Sequence, residues 1–157
     1  YGVVNNDLST LKIRMDEIPV SLAIAQAAKE TGWGTSRFAI EGNALFGQLT
    51  YSENGIKPSD ADSNSTHKVM KFKVLKASVR AYQRNLNTHS SYRDFRKERA
   101  IQRDNNGKLN SLGLVKFLNE SYCIRQTITP TIRINLLVMY YYFFMFSLNC
   151  FSRLFFF

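Results

Sequence analysis

The sequence predicts an α+β fold, mostly α: one helical domain with a small β-hairpin lobe. Three observations carry that expectation. Apolar residues recur at helical spacing in several separate stretches, strand-like alternation occurs once, and one Asn-Gly pair signals a tight reversal. A chain of 157 residues has room for one ordinary domain with a real core.

Residues Tyr1 to Glu17 read as a polar N-terminal segment with an apolar patch at Leu8, Leu11 and Ile13. The first helix starts at Pro19, a residue suited to a first turn because it has no N–H to leave unpaired. It runs to about Thr31, where Gly32 acts as the stop. A turn at Gly42-Asn43 leads into the short apolar stretch Ala44 to Gly47. From Gln48 to His67 the chain is polar, with Asn54-Gly55 as the hairpin signal and a loop reading KPSDADSNSTH. Lys68 to Leu75 (KVMKFKVL) alternates, placing Met70, Phe72 and Val74 on one side and Lys71 and Lys73 on the other, which is strand periodicity.

Leu75, Val79, Tyr82 and Leu86 recur at helical spacing and predict a second helix over Lys76 to Asn87. A third spans Tyr92 to Arg103, with Phe95 and Ile101 as its apolar contacts, and is broken by Asn105-Asn106-Gly107. Leu112, Val115, Leu118 and Tyr122 mark a fourth. There is no internal repeat.

The balance of 21 Lys+Arg against 12 Asp+Glu gives a net charge of +9. Such a charge suits nucleic acid, an anionic membrane surface or an anionic cell-wall polymer, and otherwise serves solubility. No single basic stripe dominates the sequence. The densest run, RDFRKERAIQR (Arg93 to Arg103), alternates its bases with Asp94 and Glu98, as a solvated helix face does and a phosphate cradle does not. Cys123 and Cys150 match no metal spacing, and a disulfide framework is not expected. His67 and His89 are isolated, so no metal or other cofactor is implied. The chain begins at Tyr1 with no basic-then-apolar leader, so its start does not assign a compartment.

The last stretch differs in kind. Ile134 to Phe157 (INLLVMYYYFFMFSLNCFSRLFFF) is almost wholly apolar, and Leu136 to Phe151 carries no charge, which is shorter than the roughly 20 residues of a usual spanning helix. It reads either as a membrane anchor or as translation of a shifted or degraded reading frame, because its Phe/Tyr/Ile/Asn bias is what AT-rich codons give.

One residue in the first helix has no structural reason to be there. Glu30 stands in the last turn, where the negative end of the helix dipole repels anions. It stacks over Gln26 and Ala27, one turn below, and Ala23, two turns below. Alanine methyls leave space above the helix and offer a carboxylate no solvation, so its pKa should rise and the proton should stay on near neutral pH. A glutamic acid held protonated beside a groove is the general acid of a glycosidase. Trp33, between Gly32 and Gly34, reads either as a core residue or as a groove wall that stacks on a sugar ring.

The stretch IPVSLAIAQAAKETGWGTSRFAIEGNALFGQ (Ile18 to Gln48) resembles the signature of the glucosaminidase-domain family, glycoside hydrolase family seventy-three, in the form of its Bax-type bacterial members. That signature is a helix ending in Ala-x-x-Glu-[Ser/Thr]-Gly-Trp-Gly, followed by a Gly-Asn-x-Leu-Phe-Gly turn. GIKP at Gly55, HKVMKF at His67, SVRAYQRNLNTH at Ser78 and YRDFRKERA at Tyr92 resemble its later segments, so the similarity covers roughly Ile18 to Tyr122.

The resemblance implies a lysozyme-like fold in a domain over 18–122, preceded by the segment 1–17 and followed by the aberrant tail 123–157. It also implies hydrolysis of the β-1,4 bond after N-acetylglucosamine in peptidoglycan glycan strands. Glu30 matches the catalytic glutamate. Asp60 or Asp62, with Glu53 next in order, falls in the segment where the family places a second acid, and Tyr122 corresponds to a tyrosine near the anomeric carbon. Stabilisation of the cationic sugar falls to that acid or to the substrate's own acetamido oxygen. Phe46, Gln48 and Tyr51 are candidates for the groove floor, beside Trp33. Nucleic acid is not an expected partner, the location implied is the cell envelope, periplasmic or secreted, and a membrane contact would run through the tail. After NESY the chain departs from the family, with Pro130 breaking any helix. That departure leaves open a domain that holds glycan without cutting it.

Overall fold

A computed structural model describes residues 1–58 and 68–119. Asp60, Asp62, His67, Tyr122, both cysteines and the apolar tail from Ile134 lie outside the described residues. The order is α1 (Leu8–Met15), α2 (Val20–Glu30), α3 (Arg37–Gly42), β1 (Leu49–Thr50), β2 (Lys68–Val69), α4 (Leu75–Thr88), α5 (Arg93–Asn106), α6 (Ser111–Leu114) and α7 (Lys116–Asn119), with a 3-10 turn at Ser90–Tyr92. The architecture is α+β and mostly helical, with one small antiparallel sheet. No described helix is long and apolar enough to cross a membrane.

The core joins Leu22 and Ala25 of α2 to Phe46, to Tyr82 and Leu86 of α4, to Tyr92 and Phe95, and to Leu114, Val115 and Leu118. The fourth expected helix divides here: α6 and α7 meet at Val115, yet of its apolar residues on the described chain Val115 and Leu118 are buried and Leu112 is partly buried. A hydroxyl pair, Ser21 Oγ to Ser111 Oγ at 2.7 Å, ties α6 to α2.

Four sequence expectations are corrected. The N-terminal segment contains a helix, α1, capped by Asp7, whose side chain accepts from the N–H groups of Ser9 and Thr10 at 3.1 Å. Its apolar patch builds little of the core: Leu8 is 76 % exposed. The strand expected over Lys68 to Leu75 pairs only at Lys68–Val69. Beyond it the backbone bonds outside any ladder, Met70 N–H to Gln48 O and Phe72 N–H to the carbonyl of Gly42, the last residue of α3. Asn54-Gly55 does reverse the chain, but β2 lies between the two arms: Val69 pairs with Leu49 on one edge and with Ile56 on the other.

The fourth correction concerns α5. Its arginines are not a solvated face: Arg99 is fully buried and Arg96 is 5 % exposed. Arg99 donates to Ile13 O at 2.6 Å and Glu17 O at 3.1 Å, and Arg96 donates to Leu86 O at 2.9 Å and His89 O at 2.8 Å. Arg103 completes the clamp on Asp16 and Glu17 at 3.0 and 2.7 Å. Carbonyls at and just after the ends of α1 and α4 thus gain charged donors. Ile101, expected inside, is 53 % exposed, because it follows Phe95 by six residues and so points about 120° round the helix from it. Arg99, four residues after Phe95, shares Phe95's face and stands 5.5 Å from its ring centroid.

Candidate active site

Helix α2 serves two directions at once. Leu22, Ala25 and Gln26 are buried in the core, and Ala23 and Ala27 line a groove. Pro19 stands just outside the helix at the N-cap rather than in its first turn. At the other end Thr31, 2 % exposed, replaces the next helical residue with a lock. Its hydroxyl donates to Ala27 O at 2.7 Å and accepts from Gly34 N–H at 2.8 Å, while Trp33 N–H bonds Ala28 O at 2.7 Å. These bonds hold Gly32, Trp33 and Gly34 successively at φ of +54°, +60° and +85°. For a tryptophan that backbone is strained, and strain of this kind persists only where the surroundings over-determine it. Trp33 is 65 % exposed, so its reading as a core residue is ruled out.

The opposite wall comes from the turn after α3. Asn43 ends α3 in the left-handed conformation and its amide donates to Phe72 O at 3.0 Å. Leu45 N–H then bonds the buried Ser78 hydroxyl at 3.1 Å, and the Phe46 ring stacks on Tyr82 with centroids 3.9 Å apart. The Tyr82 hydroxyl donates to Gln26 Oε1, joining α4 to α2 beneath the groove. The groove has a volume of about 420 Å³ and runs between α2 and α4. Ala23, Ile24 and Ala27 form one side, Val79, Tyr82 and Gln83 the other, and Leu45 and Phe46 lie between them.

Glu30 and Gly47 adjoin the groove without lining it. On α2 the residue one turn beyond Ala27 is Glu30, and along the turn the residue after Phe46 is Gly47. A Cβ built on Gly47 would stand 3.6 Å from Glu30 Oε2. Gly47 sits at φ +58°, so glycine meets two demands there: left-handed backbone and close approach to the carboxylate. Glu30 is exposed on its open side, yet burial against this wall pushes its carboxyl above the ordinary value of 4.5, with the Lys29 ammonium pulling the other way. Desolvation wins.

Of the expected site residues on the described chain, only Phe46 lines the groove, and it is 4 % exposed; Glu30 stands one turn beyond the lining residue Ala27. Tyr51 stands apart on the lobe, 82 % exposed. The Gln48 side chain turns its Oε1 inward, buried and without a hydrogen-bond partner. Glu53 is exposed, its backbone carbonyl accepting from Lys68 Nζ at 3.2 Å. Asp60, Asp62 and Tyr122 lie outside the described residues. Sequence reasoning missed the α4 wall and Gly47. The i, i+3 row of Val79 and Tyr82 was legible but reads equally well as core.

A helical domain with a two-stranded lobe and a desolvated carboxyl next to an apolar groove suits a glycosidase, and the chain belongs to the glucosaminidase family. The family model, described as mannosyl-glycoprotein endo-beta-N-acetylglucosaminidase, matches residues 9–122 and so takes in α1. The chain is similar to Protein bax of Escherichia coli (strain K12), 37% identical over 110 residues, which is 68% of this chain and 38% of that protein. The aligned part thus spans well under half of that relative's length. No solved structure matches.

Proposed function

We propose that this glycoside hydrolase domain cleaves the β-1,4 bond after N-acetylglucosamine in peptidoglycan strands, with Glu30 as general acid. The observation that carries the reading is the desolvated Glu30 carboxyl facing Gly47, one turn beyond the groove-lining Ala27 and one residue beyond the groove-lining Phe46. Burial keeps a proton on Glu30 to a higher pH than on an ordinary glutamate. A sugar chain seated along Ala23 and Ala27 brings a glycosidic oxygen to that proton, and protonation turns the oxygen into a leaving group. The positive charge left on the sugar is balanced by a lobe carboxylate (Asp60, Asp62 or Glu53) or by the substrate's acetamido oxygen. Tyr122 orients that acetamido group or the attacking water. Trp33, held outward by its strained backbone, offers an aromatic face to a ring beyond the groove, with Tyr51 and Gln48 on the lobe side. Such a substrate places the protein in the cell envelope.

Zymography on cell-wall substrate tests the reading. The chain should clear the gel and Glu30→Gln should not, while mass spectrometry of the released muropeptides should find reducing N-acetylglucosamine ends. Reducing ends on muramic acid, or clearing that survives Glu30→Gln, would overturn it. Retained binding without clearing would identify a glycan-holding domain instead.

A further inference from the structure

The chain enters α4 through residues that helix stability does not explain. Val74 stands at the N-cap, where Ser, Thr, Asp or Asn would bond the first free N–H groups, and it makes no such bond. The first turn holds Lys76 and no acid, although the positive end of the helix dipole repels cations. Both aliphatic side chains there face water: Val74 is 58 % exposed and Leu75 51 %. Lys71, Lys73 and Lys76 are exposed around them. KFKVLK (Lys71 to Lys76) thus presents two aliphatics framed by three bases.

The charge extends beyond this stretch. From Lys68 to Arg93 the chain holds a third of its 21 Lys and Arg and no Asp or Glu. Within α4, Lys76, Arg80 and Arg84 fall at i, i+4 and i+8 and form one exposed row, which corrects the expectation that no basic stripe dominates. The row turns away from the groove, because Arg80 and Arg84 each stand about 100° round the helix from the groove-lining Val79 and Gln83. No ion pair holds Lys71, Lys73, Lys76, Arg80 or Arg84 among the described residues. None of residues 71–76 lines the groove, so this surface is separate from it.

Exposed cations alone suit any polyanion. The two aliphatics decide among them. A nucleic acid or a soluble acidic polymer meets the bases through its phosphates or carboxylates and leaves Val74 and Leu75 in water. An anionic bilayer uses both features: its headgroups meet the bases, and the boundary with the acyl chains takes the aliphatic side chains. We infer that Val74, Leu75 and the lysines around them dock the domain on an anionic lipid surface, with the α4 row lying along the headgroups. The inference does not depend on the cleavage reading. It also differs from a membrane contact through the apolar tail, which would need no anionic lipid.

Cosedimentation of the full chain with vesicles tests it. Vesicles containing phosphatidylglycerol should bind more tightly than vesicles of phosphatidylcholine alone, and this advantage should shrink as salt rises. Combining Lys71→Gln, Lys73→Gln and Lys76→Gln should weaken binding to the anionic vesicles about a hundredfold, at roughly fivefold per base. Val74→Ser with Leu75→Ser should weaken it about tenfold and leave binding to soluble polyglutamate as in the parent. All five positions are exposed, so both variants should melt close to the parent. A charge-matched control with Lys97→Gln, Lys108→Gln and Lys116→Gln should keep the preference for anionic vesicles. Equal binding of the parent to both kinds of vesicle, equal loss in the control, or a serine variant that binds as the parent does would overturn the inference. So would binding to duplex DNA that is tighter than binding to the vesicles and is lost in the lysine variant.

Discussion

Gly47→Ala separates the two demands that the wall opposite Glu30 places on one residue. The first is backbone. At φ +58° an L-residue costs about 1–2 kcal/mol, and a domain of this size loses about 2–4 °C per kcal/mol, so Tm should fall by roughly 2–8 °C. The second is hydration. The new Cβ would stand 3.6 Å from Glu30 Oε2, which is ordinary contact, so no clash adds to the backbone cost. It does cover one more side of the carboxylate. Less water disfavours the charged form, so the folded pKa rises further and the donor stays loaded to higher pH. The alkaline limb of kcat/KM, followed by turbidity of a peptidoglycan suspension, should therefore move up. Gly107→Ala is the matched control, with φ +67° and nothing within 4 Å of its Cβ. It should lose similar stability and leave the limb in place. A limb that stays put in Gly47→Ala while Tm falls as expected, or that moves equally in the control, would refute the account of how Glu30 keeps its proton.

Lys29→Gln removes the cation that opposes desolvation at Glu30, so it too should shift the alkaline limb of kcat/KM upward; a limb that stays in place would refute that opposition. Glu30→Gln should change stability in a pH-dependent way. An acid whose folded pKa is raised weighs against folding above that pKa, and the effect fades as pH falls below its ordinary 4.5. The variant should therefore melt above the parent at about pH 8 and together with it at about pH 3.5; the reverse order would show a carboxylate stabilised when charged. Arg99→Leu strips charged donors from the Ile13 and Glu17 carbonyls and from Asp16, and should cost roughly 3–5 kcal/mol in urea unfolding. A loss below about 1 kcal/mol would mean water replaces the guanidinium there.

Much of this arrangement was legible from residues alone. Helix α2 lies within one residue of its expected ends because Pro19 and Gly32 bracket it, and α4 within one because four apolar residues keep strict spacing. Helix α1 was missed because its signal is a cap, Asp7, and not an apolar stripe. Six-residue α3 was missed because only its stop, Gly42-Asn43, is conspicuous. The buried arginines were illegible for a different reason. Charge along α5 alternates as on a solvated face, and what draws Arg96 and Arg99 inward is carbonyl groups at Ile13, Glu17, Leu86 and His89, which are backbone and leave no mark in composition. Glu30 was visible because it offends the dipole rule. Its partner Gly47 was not, since a glycine in a turn has many ordinary uses.

The buried arginines also explain why the groove can be open. A groove between α2 and α4 removes contact that two neighbouring helices would otherwise make, so they must be held from elsewhere. Beneath the groove they are joined by the Tyr82–Gln26 hydrogen bond, and the Phe46–Tyr82 stack ties α4 to the turn after α3. Behind it, Arg96 grips the end of α4, while Arg99 and Arg103 grip the segment leading into α2, so one helix, α5, sets the position of both. The alanines can then stay small, because spacing does not depend on their bulk. The acid in the last turn of α2 keeps its place because Thr31 fixes the helix end, not because the dipole favours it.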